Sequence, residues 1–334
     1  MTASVLGGII HRAPSALIVA CCVCFLLTCA ASASSLQFLD NGSNDYDYGR
    51  QITIPEGFGD GEFTMELWIK PYEDYPIGTT VGFGRNDRLN WTEEDNEPYS
   101  ASNWWYEGNF LLDGHNNDGF EDGTFSLQFY GGGRLRWLIG DGKHAGPGGH
   151  WSVGAYPASG TPSLLDGRWH HVTLVRRWTG FMSASFELWV DGVLIDKEES
   201  RSRVNLAEKY WDQGVDGGWY WGAEKQAAEN SLSTYEDFKG LIDEIRYWSI
   251  AKSEEEIRQN YNAPLTGDEP GLVGVYSMEE GRGKSTCNDL TGSQCIRLNR
   301  MKPGHWTSEN APLAQTDAIA PSPPTNLNAR VVRD

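Results

Sequence analysis

Leu164 to Ile195 reads LLDGRWHHVTLVRRWTGFMSASFELWVDGVLI. In Trp169–Val175 one phase holds His170, Val172 and Leu174, the other Trp169, His171, Thr173 and Val175. Period-two alternation rich in β-branched and aromatic residues predicts a strand. Phe186–Val190 and Val193–Ile195 flank Asp191-Gly192. Asp-Gly between apolar runs predicts a type I′ hairpin, whose two central residues need positive φ. A two-residue loop pairs Val190 with Val193 and Leu188 with Ile195. That face is apolar; the other carries Glu187, Trp189, Leu194 and Asp196 and meets solvent or ligand. The unit is an antiparallel sheet.

Further strands are expected outward from this hairpin. Leu36–Asp40 opens the series, Gln51–Ile54 stops at Pro55, and Phe63–Ile69 places Phe63, Met65, Leu67 and Ile69 on one face. Glu66 shares the other face with Thr64 and Trp68 and is given no role. Phe110–Leu112, Thr124–Tyr130, Arg134–Ile139, Gly240–Trp248 and Gly271–Met278 continue the pattern. Ser253-Glu254-Glu255-Glu256 is a capping box opening a short helix with Ile257 and Tyr261 inward. The 39 glycines suit tight turns, and the 14 Trp and 14 Tyr supply a large core. The net charge of −19, from 27 basic against 46 acidic residues, argues against nucleic-acid binding, which needs clustered cations.

Residues 1–33 read as a secretory signal. His11 and Arg12 flank an apolar run from Ala16 to Leu27, too short to span a bilayer, and Ala31-Ser32-Ala33 is a small-x-small cleavage site. The chain is expected to be secreted, with a lipid anchor on Cys29 as the alternative. Cys21, Cys22, Cys24 and Cys29 leave with that segment. Cys287 and Cys295 remain around a turn-like run, which in an oxidising compartment predicts a disulfide, against two free thiols.

Two loops concentrate aromatic residues: Trp104, Trp105 and Tyr106 in the polar excursion 85–108, and Trp211, Trp219 and Trp221 in 209–222. Either they tuck beneath their loops or they form a stacking platform. Asp113–Asp122 is calcium-like in composition but fails the EF-hand spacing, and a hydrated turn is the alternative.

FTMELWIKP (63–71), LLDGRWHHVTLV (164–175), FELWVDGVLI (186–195), GLIDEIRYW (240–248) and SEEEI (253–257), in that order, resemble the LamG-like jelly roll of the concanavalin A-like superfamily, with its laminin G and pentraxin types. The resemblance implies an all-β sandwich of two antiparallel sheets over residues 34–262. A C-terminal β extension, 263–316, carries the cysteine pair. A tail, 317–334, is similar to the start of a fibronectin type III domain, which leaves two readings: further domains beyond it, or a vestigial tail. His170 and His171 match a structural hallmark of the family.

Sites follow from this reading. Laminarinase-type relatives carry a Glu-x-Asp-x-x-Glu strand, and no such spacing occurs here; Asp243 and Glu244 are adjacent and point to opposite faces. No catalytic residue is therefore assigned, and a glycoside hydrolase stays a rival reading. Asp243 shares a phase with Leu241, Ile245 and Tyr247. A carboxylate on so apolar a face must be coordinated or accept backbone N–H bonds. The resemblance implies a structural Ca²⁺ where first and last strands meet, with Asp40 and Asp243 as its ligands. The functional expectation is a non-catalytic module binding polysaccharide or a glycoprotein glycan through Trp104, Trp105, Tyr106, Trp211, Trp219 and Trp221. The alternative is an adhesion or protein-interaction domain using the same aromatics as anchors.

Overall fold

The computed structural model describes residues 34–39, 47–73, 109–114, 125–130, 133–140, 152–155, 157, 161–181, 183–200, 206, 218–225, 237–299 and 305–313. All belong to the compact unit Ala31–Asp334. Among them, two antiparallel eight-stranded sheets enclose one core. The first contains β1 (Ser35–Phe38), β3 (Phe63–Pro71), β8 (His170–Gly180), β9 (Ser183–Val190), β10 (Val193–Ser200), β12 (Gly240–Trp248), β13 (Leu272–Tyr276) and β16 (Trp306–Thr307). Its order is β10-β9-β8-β3-β12-β1-β16, with β13 also paired to β12. The second contains β2 (Tyr48–Gln51), β4 (Asn109–Asp113), β5 (Phe125–Tyr130), β6 (Arg134–Gly140), β7 (Ser152–Ala155), β11 (Trp219–Trp221), β14 (Ser285–Asn288) and β15 (Ser293–Asn299). Its order is β14-β15-β2-β11-β4-β5-β6-β7. The expected all-β sandwich is the observed fold.

The hairpin forms as its turn chemistry requires. Asp191 and Gly192 have φ of 50° and 73°, and Val190 pairs with Val193. Leu188, however, pairs with Asp196 rather than Ile195, because a bulge inserts one extra residue into β10. Ile195 thereby stays in the core, and the strand turns polar one residue later. β2 also differs from expectation, running from Tyr48 to Gln51 and leaving Ile52 40% exposed.

His170 locks the turn to the start of β8. Its Nδ1 lies 2.8 Å from Asp191 Oδ2 and its Nε2 3.0 Å from Asp166 Oδ1. Both nitrogens can donate only as imidazolium. Burial alone would lower its pKa, but the hydrogen bonds and charges of Asp191 and Asp166 raise it above the usual value. The folded state therefore holds this proton more tightly than the unfolded chain. Its contribution to stability is fully present below about pH 6.5 and is lost as pH rises through the raised folded value. Unfolding measured from pH 5 to 8 should show this component in the wild type and lack it in His170→Gln. The same pH dependence in both would contradict the assignment.

Between the sheets, a buried polar chain crosses the core. Gln51 Oε1 accepts from Trp221 Nε1 (3.0 Å) and from the Tyr247 hydroxyl (2.8 Å). Its Nε2 donates to the Tyr276 oxygen (2.9 Å), whose hydroxyl donates to the Gln294 carbonyl (2.6 Å). Satisfied networks of this kind fix a unique packing. Cys287 and Cys295 form a disulfide that ties β14 to β15.

Candidate binding face

The outer face of the first sheet is sealed. Ser253 caps α1 (Glu254–Asn260): its Oγ accepts from Glu256 N, and the Glu256 carboxylate accepts from Ser253 N at 2.7 Å. This is the predicted capping box. α1 lays Ile257 against Val175 and Trp189, so the hairpin face expected to meet solvent or ligand is covered instead. Beside it Glu66 is wholly buried, 2.8 Å from Lys252 Nζ, and accepts from Trp248 Nε1 at 2.8 Å. His171 packs edge-on to Trp68 at 5.2 Å. Burial, with Arg246 and Lys252 nearby, pushes its pKa well below the usual value and keeps it neutral.

Asp243 lies on this sealed face, and the phase expected for it is corrected. Ile242 faces the core. Then Glu244 adopts φ 50° within a bulge between Asp243 and Arg246, which returns Ile245 and Tyr247 to the core. Asp243 is thereby opposite Trp68, outside the core. Its Oδ1 accepts from Glu244 N and its Oδ2 from Ala311 N, each at 2.8 Å. Burial pushes its pKa up to about 8, against the pull of the Ala311 N–H and with help from the Glu244 charge. Both oxygens thus have backbone donors, and no group of three His, Cys, Asp or Glu suited to a metal ion occurs among the described residues. Those residues do not by themselves fit a calcium ion. Asp40, the other expected ligand, lies outside them.

The second sheet has the opposite character. One row of cross-strand partners runs Arg297–Arg50–Tyr220–Asp113–Ser126–Leu138, and a parallel row runs Phe110–Gln128–Arg136. Direct partners share a face, so these side chains all lie on the side away from the core. Toward β6, Arg136 Nη2 donates to Gln128 Oε1 (3.1 Å), and Gln128 Nε2 to Ser126 Oγ (3.0 Å), all fully buried. Toward β15 the face opens: Arg297 is exposed, and Tyr48, Arg50 and Asn299 are half-buried. Tyr48 lies 5.5 Å from Tyr220, and the Arg50 guanidinium 5.6 Å from the Tyr220 ring.

Two of the expected ligand contacts are corrected. Trp219 and Trp221 are each 1% exposed and belong to the core. Trp219 stacks on Phe125 at 4.8 Å and meets Phe58 edge-on at 6.0 Å. β11 is a short central strand with Trp219 and Trp221 in its inward phase, so neither ring is offered to a ligand. Tyr220, between them, is the member that points the other way. Trp104, Trp105, Tyr106 and Trp211 lie outside the described residues. Arg50, Arg297 and Tyr48 were not singled out from sequence, although Tyr-x-Arg at 48–50 and Cys-x-Arg at 295–297 carry the period-two signal.

Residues 83–258, more than half of the chain, match the Laminin_G_3 model, described as the Concanavalin A-like lectin/glucanases superfamily. No curated protein matches the chain. Similar solved structures include a proposed carbohydrate-binding protein from Bacteroides ovatus ATCC 8483, with 17% identity over 84% of this chain and a TM-score of 0.47. This chain spans 61% of that protein's length. Others are the heptameric SAP-like pentraxin of Limulus polyphemus, with 12% identity, 73% of this chain, 88% of that one and a TM-score of 0.42, and the CBM40 of Ruminococcus gnavus IT-sialidase bound to α2,3-sialyllactose, with 13% identity, 67% of this chain, 96% of that one and a TM-score of 0.37.

Proposed function

We propose, since the chain belongs to the concanavalin A-like lectin/glucanases superfamily, that it is an extracellular, non-catalytic module binding carbohydrate. The carrying observation is the open end of the second sheet, where Tyr48, Arg50, Arg297 and Asn299 lie side by side while α1 and the 250–261 segment seal the first. A sugar ring offers an apolar C–H face to an aromatic ring and hydroxyls to the polar groups around it. Trp104, Trp105, Tyr106 and Trp211 are proposed as further contacts. The missing paired-carboxylate spacing supports binding without hydrolysis. The apolar N-terminal segment and the Cys287–Cys295 disulfide support an extracellular address. A calcium ion held by Asp40 and Asp243 belongs to the same proposal.

The test is a glycan array probed with the mature protein, in calcium and in chelator. Retention of at least one glycan class is expected, weakened in Trp105→Ala without loss of folding. No retained glycan in either condition would overturn the reading. Release of reducing ends would favour the hydrolase instead. Equal melts in calcium and chelator would remove the ion, since a ligand of the folded state alone must stabilise it.

A further inference from the structure

A groove of about 700 Å³ lies where β14 and β15 meet the chain just past β2. Its walls include Ile52, Ser285, Cys295 and Asn299, with Lys284 and Arg297 as its only charged residues. That is unexpected on a chain of net charge −19. Neither the Lys284 ammonium nor the Arg297 guanidinium is paired with a carboxylate among the described residues. Arg297 also stands directly opposite Arg50 across the β15–β2 pair. The hairpin supplying Lys284 and Arg297 lies outside the stretch 83–258 that matches the family.

We infer that this groove is an acidic-sugar subsite, taking a sulfate ester or a uronate carboxylate of a polysaccharide between Lys284 and Arg297. The inference rests on the carbohydrate reading and names the class of sugar. Guanidinium presents a planar fork of donors matched to a carboxylate or sulfate, and ammonium a compact point charge. Ile52, 40% exposed, and the Cys287–Cys295 disulfide provide apolar contact for a ring, while Ser285 and Asn299 can hydrogen-bond its hydroxyls.

The experiment is affinity electrophoresis of the mature protein through dextran sulfate, polygalacturonate, neutral dextran and poly-L-glutamate. The comparison variant is Lys284→Ala/Arg297→Ala, whose two side chains are exposed. Wild type should be retarded by dextran sulfate or polygalacturonate, and the two arms separate sulfate from carboxylate recognition. The variant should lose about tenfold or more in affinity, the scale of charge-assisted bonds to an anion, with an unchanged melting temperature. Wild-type affinity should fall with added salt. Unchanged retardation of the variant would overturn the subsite, as would equal retardation by poly-L-glutamate. Binding of neutral glycans on the array without either acidic polymer would overturn the subsite alone. Absence of all glycan binding would remove the carbohydrate reading with it.

Discussion

Lys252→Ala should be among the most damaging single changes outside the core, costing about 3–5 kcal/mol, because it strands a buried carboxylate. Glu66 is fully buried and Lys252 only 6% exposed. Lys252 Nζ also sits 4.3 Å over the Trp248 ring, so the substitution removes a cation–π contact as well. At roughly 2–4 °C per kcal/mol for a domain of this size, the melting temperature should fall by on the order of 10 °C. Glu66→Gln/Lys252→Met should recover most of the loss. It removes both charges together, and the glutamine carbonyl can still accept from Trp248 Nε1. Thermal or urea unfolding of the single and double variants checks this. A double variant as unstable as Lys252→Ala would show that the pair itself, rather than an unpaired charge, carries the stability.

Trp219→Ala should lose about 3–5 kcal/mol through the cavity it leaves. Trp219 fills the space between the sheets against Phe125, Phe58 and Tyr247, the last at 6.3 Å. Trp219→Phe should lose less, since the ring that stacks on Phe125 is kept. Carbohydrate retention per folded molecule should be unchanged in both. The pair thus separates packing from recognition: selective loss of retention at full stability would return Trp219 to the binding surface.

Periodicity in the chain shows much of the sheet content. Phe63, Met65, Leu67 and Ile69 alternate and all enter the core. The Asp-Gly turn, the capping box at Ser253 and the Cys287–Cys295 pair are equally local. In each case the signal sits within a few residues, where side-chain spacing and backbone φ decide the outcome. Asp243 shows where such reading fails. Alternation counts residues along one strand, but the Glu244 bulge resets the count because Asp243 accepts the next N–H and Ala311 arrives from a distant segment. Glu66 likewise has no sequence neighbour that announces Lys252.

What the sequence by itself determined is the strand content and the main turns, because these rest on short-range pattern and turn chemistry; the all-β sandwich followed from the family resemblance of its motifs. What only the tertiary structure decided is which faces are open. Trp219 and Trp221 look like loop aromatics in the chain, yet β11 places them in the core and turns Tyr220 outward. α1 covers the hairpin's second face, and pairing of β15 with β2 sets Arg297 beside Arg50, 247 positions away in the chain. Burial and charge proximity depend on which strands become neighbours. That is settled by long-range packing, to which the local alternation of a strand is blind.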